Sequence, residues 1–274
     1  MIKIKNNFDL EATITCGQIF RFKKINNKYI VILKDRVISL EEDSDEIIIK
    51  SNKEDNLKEV IYDYFDLDRD YNKIEKDILK LDKRIKDTLV FNRGLKMIHQ
   101  DPFETILEYV ISQNNRVTSI ANSLDLIALN YGEKVIFENE TYYLLPDYKK
   151  IKELKIEDYR NCKVGFRDKY LYEIISKINN NELDINKIYD MGSEDALKYL
   201  MSFKGIGNKV ASCILLFAYQ KFDVYPIDTW VKKYMLDEYN IDSELKIKEY
   251  TKKTYKEYSG IVIQYMFNYK RNKN

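Results

Sequence analysis

The order of apolar and polar positions divides this chain into two unlike parts. Up to about residue 50 the apolar residues form short clusters: Ile14, Phe20 and Phe22, then 29–33, 37–40 and 47–49. Polar groups separate them at Asn26-Asn27-Lys28, at Lys34-Asp35-Arg36 and in the acidic run 41–46, each a turn signal. This pattern predicts an antiparallel sheet of four or five strands. From Lys53 the spacing changes. Leu57, Val60, Ile61, Tyr64 and Phe65 recur at three and four, as do Ile74, Ile78 and Leu79, which is the period of a helix buried on one face. The remainder reads as almost entirely helical. Breaks fall near Gly94, Asp101-Pro102, Asn114-Asn115, Gly132, 161–165, 179–181, Gly192, Gly205 and Pro226. The expected fold is α+β and mostly α-helical, with an N-terminal antiparallel β-sheet (residues 1–75) packed on a helical body (76–274).

Composition narrows the class. A chain of 274 residues is long enough to bury a large core in one domain or two. No apolar run reaches membrane length and no cleavable signal is visible, so no membrane partner is expected. Cys16, Cys162 and Cys213 are odd in number and widely spaced, which argues against a disulfide framework and for a cytosolic chain. One histidine, His99, and no paired cysteines make a structural zinc site a poor expectation. Net charge is +1, but residues 204–274 hold 13 Lys and Arg against 8 Asp and Glu, a net of +5, leaving −4 upstream. The basic part suits a nucleic-acid partner, although solvated helix faces would produce the same count.

That basic part opens on the stretch with the most chemistry in it. An apolar segment runs into Phe203, Lys204, Gly205, Ile206, Gly207, Asn208 and Lys209, a second apolar segment follows, and Pro226-Ile227-Asp228 starts another. Gly205 and Gly207 let the backbone turn tightly and lie bare, and the helix that follows opens with unpaired N–H groups. Such groups bind anions, a DNA phosphate among them. By itself the feature is also an ordinary helix–turn–helix corner.

The whole combination, with Lys209 after the turn and Asp228 opening the next helix, resembles the helix-hairpin-helix glycosylase superfamily, the hairpin lying at 193–218. More distant stretches narrow the resemblance. Met97 to Glu104 with Gln113, Asn114 and Asn115 is similar to the helix and turn that lead to the DNA gap in 8-oxoguanine DNA glycosylases. Cys16-Gly17-Gln18 is similar to their N-terminal signature, Gly165-Phe166-Arg167 to their wedge loop, and Ser259-Gly260 through Phe267 to their closing helix. These matches span residues 16 to 267 in family order.

The resemblance implies a monomeric repair enzyme acting on double-stranded DNA containing 8-oxoguanine, with no metal or organic cofactor. One branch of the superfamily carries an iron–sulfur cluster, but this chain lacks the four clustered cysteines it needs. Lys209 would supply the amine that attacks the sugar and becomes a Schiff base. Asp228 would offset the developing positive charge and shuttle protons, although an aspartate in that position is also a plain N-cap. Cys213, one turn after Lys209, would pack against the base, or is simply a small buried thiol. Gly17 would offer its carbonyl to the N7–H that 8-oxoguanine has and guanine lacks; it also suits a β-turn. Phe267 would stack on the base, or belongs to the core. Asn114 would enter the vacated space, Phe166 would wedge the duplex, and Arg167 would meet the opposite base or a phosphate. Lys204, Gly205 and Gly207 would face the DNA backbone.

Three positions depart from the human-type pattern. Ser119 stands where a second arginine reads the opposite cytosine, with Arg116 nearby but displaced, and Phe166 replaces a tyrosine. These departures predict a relaxed preference for the opposite base. The glutamine expected to read the Watson–Crick edge falls at Ile263, with Gln264 one residue later, about 100° around the helix. The rival readings are an alkylpurine glycosylase of the same fold, which would lack the lysine, and a non-catalytic hairpin module that only binds DNA.

Overall fold

The computed structural model describes residues 1–273. The N-terminal part is a five-stranded antiparallel sheet of β1 (Ile2–Lys5), β2 (Phe22–Ile25), β3 (Lys28–Ile32), β4 (Val37–Asp43) and β5 (Glu46–Ser51), in the order β1-β5-β4-β3-β2. A short helix, α1 (Leu10–Thr15), joins β1 to β2. Ile14, grouped with the strands by its apolar neighbourhood, lies in this helix, because Asp9 caps it by accepting the Ala12 N–H at 2.7 Å. Phe20 likewise falls outside the strands.

Both faces of the sheet are covered, which is why its apolar residues come consecutively as well as alternately. Tyr29, Val31, Ile38, Leu40, Ile47 and Ile49 pack against Ile14 of α1 and against Leu57 and Ile61 of α2 (Leu57–Tyr64). Ile30 and Val37, on the opposite face, pack against Phe137, Tyr142 and Leu144. Those three come from a second, two-stranded sheet, β6 (Glu133–Phe137) and β7 (Glu140–Leu144), in a region expected to be helical. Its turn places Glu138 and Asn139 at φ +48° and +65° without a glycine, so the usual hairpin signal is missing from the sequence.

The body is helical: α3 (Tyr71–Leu81), α4 (Lys86–Phe91), α5 (Pro102–Ile111), α6 (Val117–Tyr131), α7 (Ile156–Asn161), α8 (Asp168–Asn179), α9 (Ser193–Met201), α10 (Asn208–Ala218), α11 (Thr229–Tyr239), α12 (Glu244–Tyr255) and α13 (Ser259–Asn272). At its centre α10 packs on α5, and every residue from Val210 to Ala218 is buried. Asp82, after α3, gathers three helical neighbours: its Oδ2 accepts from the hydroxyls of Tyr239, Tyr250 and Tyr255 at 2.8, 2.6 and 2.8 Å. We propose the same two-part division of the chain, a sheet unit and a helical body; residue 75 lies within α3, whose Tyr71, Ile74 and Ile78 pack into the helical core. No helix among the described residues is long and apolar enough to cross a membrane.

Candidate active site

Helices α9 and α10 form the hairpin, and its two glycines answer to different constraints. Gly205 has φ +91°, and a Cβ there would come within 2.6 Å of the Tyr170 side chain, so both conformation and space demand glycine. Its carbonyl accepts from Gln113 Nε2 at 2.9 Å, tying the turn to the segment after α5. Gly207 is the N-cap of α10 with extended backbone, and a Cβ there would meet nothing within 4 Å. Nothing in the free chain requires glycine at that point; bare backbone at an exposed position leaves room for a partner. No side chain caps α10, so its first amides and the positive helix end are open to an anion beside exposed Lys204.

Lys209 stands in the first turn of α10, exposed to solvent. Asp228 caps α11, accepting the Val231 N–H at 2.9 Å, so the plain structural role is real and fixes the carboxylate. Cys213, one turn below Lys209, is 4% exposed and links the two. Burial pushes its thiol up to about 12, with the Lys209 ammonium pulling down and the Asp228 carboxylate pushing up. Both charges therefore act on one buried sulfur, and that sulfur stays protonated, a packing surface rather than a nucleophile.

Across from them, the end of α1 meets α13. Gly17 has φ +90°, and a Cβ on it would lie 3.2 Å from the Phe267 ring and 2.6 Å from Arg271 Nη1. Two expected base-binding residues are turned elsewhere. Ile263 is 1% exposed and packs in the helical core. Gln264 is buried too, and its Nε2 donates to the Cys16 carbonyl at 3.2 Å, which anchors α13 to the Gly17 turn. Arg271 was not anticipated. The available signal was its position four residues after Phe267, hence on the same helix face, but an arginine in a last helical turn also reads as a complement to the helix dipole.

The third group lies after α5 and before α8. Asn114 is exposed and left-handed, with φ +46°. Phe166 is 56% exposed, with its ring edge-on to Tyr170 at 6.3 Å. Arg167 differs from expectation. Only 6% exposed, it donates through Nε to the Gln113 carbonyl at 2.8 Å, through Nη1 to the Val164 carbonyl at 2.9 Å and through Nη2 to the Asn114 carbonyl at 3.1 Å. Its guanidinium carbon lies 4.3 Å from the centre of the Phe166 ring. In this arrangement it holds the asparagine loop and the wedge together. Ser119 and Arg116 are both exposed on the neighbouring segment.

Comparison with known proteins gives a consistent picture. The family profile described as the N-terminal domain of 8-oxoguanine DNA glycosylase matches residues 1–106. A probable N-glycosylase/DNA lyase of Methanothermobacter thermautotrophicus is 29% identical over 236 residues, 78% of this chain and 73% of that protein. The 8-oxoguanine glycosylase/lyase of Clostridium acetobutylicum, solved with double-stranded DNA containing cytosine opposite 8-oxoguanine, is 35% identical with a TM-score of 0.93, covering 99% of this chain and 94% of that one. A 3-methyladenine DNA glycosylase from Archaeoglobus fulgidus has a TM-score of 0.83 at 20% identity over 99% of each chain, a likeness of fold alone. With the Clostridium chain 35% identical and matched over nearly its full length, the protein belongs to the 8-oxoguanine DNA glycosylase family.

Proposed function

We propose that this chain extrudes 8-oxoguanine from duplex DNA, cleaves its N-glycosidic bond and then nicks the abasic strand, acting as a monomer in the cytoplasm on nucleoid DNA. The observation that carries the catalytic reading is the pair of helix starts. Lys209 on α10 and Asp228 on α11 act on the same buried Cys213 thiol, so an amine and a fixed carboxylate share one neighbourhood.

The duplex lies with a phosphate on the open amides of α10, and Phe166 and Asn114 enter the stack as the base leaves it. Extrusion costs roughly a few kcal/mol of stacking, offset by these contacts. Lys209, as the free amine, attacks C1′ while the bond to the base breaks and the base departs with the electron pair. Asp228, held by its cap, faces the positive charge that develops on the sugar. Opening of the sugar ring gives an imine between Lys209 and C1′. Loss of a C2′ proton then expels the 3′ phosphate by β-elimination, and water releases Lys209. Gly17 and Phe267 accept the extruded base at its N7 edge and on its face.

Lys209 also bears on the rivals: the alkylpurine reading has no use for a lysine, and a binding-only module has none for the carboxylate opposite it. The test is borohydride trapping on a duplex containing 8-oxoguanine. A covalent protein–DNA adduct that disappears with Lys209→Gln is expected. Active protein without any trapped adduct would refute the imine route, and protein that leaves 8-oxoguanine in place would refute the activity.

A further inference from the structure

We propose that Arg271 is a specificity residue that donates a hydrogen bond from Nη1 to the C8 carbonyl oxygen of the extruded base. The inference rests on the reading of 8-oxoguanine as substrate and adds a second recognition contact to it. The oxidised base differs from guanine at two adjacent atoms: N7 carries a hydrogen instead of a lone pair, and C8 carries an oxygen instead of a hydrogen. The Gly17 carbonyl answers only the first. Full recognition of that edge calls for an acceptor with a donor beside it, and Arg271 is the donor beside Gly17.

Its placement is specific. Nη2 donates to the Thr15 carbonyl at 2.6 Å, which fixes the guanidinium to the end of α1. Its central carbon lies 5.2 Å from the centre of the Phe267 ring, so the same aromatic holds the arginine in place and remains available to the base. Nη1 is left facing Gly17, 2.6 Å from where a Cβ would stand. Among the described residues the only hydrogen-bond acceptor that Arg271 meets is Thr15. The side chain is half-buried, and the Asp228 carboxylate is among the groups that favour its charged form. Guanine in this pocket would bring an N7 lone pair to a carbonyl and a C–H to a guanidinium, leaving both protein groups unmet. Sites built on such pairs discriminate strongly against the analogue that lacks the partner.

The test compares two lesions that share O6. Duplexes carrying 8-oxoguanine or 8-aminoguanine, the latter with an amino group in place of O8, are titrated against Lys209→Gln protein with and without Arg271→Met. The arginine is expected to contribute at least tenfold to the ratio of the two affinities, and Arg271→Met is expected to narrow that ratio accordingly, with Arg271→Lys intermediate. An unchanged ratio overturns the proposal, whether both affinities fall together, as for a structural or O6-reading arginine, or neither moves. Parallel excision assays separate the two readings. Wild-type protein that fails to excise 8-oxoguanine refutes the activity, whereas active wild-type protein with an unchanged affinity ratio refutes only the role of Arg271.

Discussion

The Arg167 guanidinium donates to the main-chain carbonyls of Gln113 and Asn114, the second at 3.1 Å, so a side chain from the wedge loop sets the backbone of the asparagine loop. Two segments 53 residues apart in sequence are thus tied together. The left-handed Asn114 is held from below by this contact, while the Gln113 side chain reaches the hairpin at Gly205.

Loss of that support has a defined signature. Arg167→Ala removes the donor from one buried and two part-buried carbonyls and is expected to cost about 2 kcal/mol of stability in urea unfolding. Excision of 8-oxoguanine should fall at least tenfold, with little change in which opposite base is favoured. A marked change in opposite-base preference would mean that Arg167 leaves its buried position to read DNA.

Opposite-base preference should be relaxed. The one arginine of the wedge loop is committed to the protein backbone, Ser119 offers a short side chain, and Phe166 has no hydroxyl. Single-turnover excision opposite each of the four bases is expected to vary by no more than about tenfold, the span of roughly one hydrogen bond. A cytosine preference well beyond that would sink the idea.

Gly17→Ala should close the base pocket. A left-handed φ of +90° strains alanine by about 1–2 kcal/mol. The added Cβ would also meet Arg271 Nη1 at 2.6 Å and the Phe267 ring at 3.2 Å. Excision of 8-oxoguanine is expected to fall by about a hundredfold or more, about 3 kcal/mol in the barrier. Equal losses on 8-oxoguanine and on a pre-formed abasic site would place the damage elsewhere.

Stability should fall as pH rises, through a feature remote from catalysis. Glu104 and Glu108, one turn apart on α5, line a cavity of about 250 Å³ between the sheet and the helical body. Burial, and then the charge of Asp101, pushes the Glu104 carboxyl up to about 8, and burial drives Glu108 well above its ordinary value. Oε2 of Glu108 has no hydrogen-bond partner among the described residues. Because these groups hold protons in the folded state that the unfolded chain has lost, stability declines between the ordinary value of 4.5 and about 8 for Glu104. Glu104→Gln should flatten that decline, gaining on the order of 2 kcal/mol over wild type at pH 9 relative to pH 5. Urea titrations at the two pH values check it; parallel curves would show that the carboxyl ionises freely.

The sequence was most legible where local chemistry and fold agree. Helix period, the turn at Gly205 and the capping Asp228 announce themselves because each is a short-range requirement. The β6–β7 hairpin did not, since Glu138 and Asn139 take positive φ without glycine and the exposed Ile136 breaks the alternation of apolar and polar positions. The backbone contacts of Arg167 and Gln264 were hidden for a different reason: a polar side chain in a loop or helix gives no sign that backbone carbonyls of another segment await it. Arg271 stayed hidden because only folding brings it to Gly17.

That last closure has a kinetic meaning. Thr15 and Arg271 are 256 residues apart, whereas the backbone of the turn at Gly205 lies within one helical hairpin and its contact with Gln113 spans 92 residues. Contacts of such separation pay their loop-closure entropy late, and local ones form early. A chain caught part-way through folding, or frayed at α13, is therefore expected to keep the hairpin turn while lacking the contact between α1 and α13.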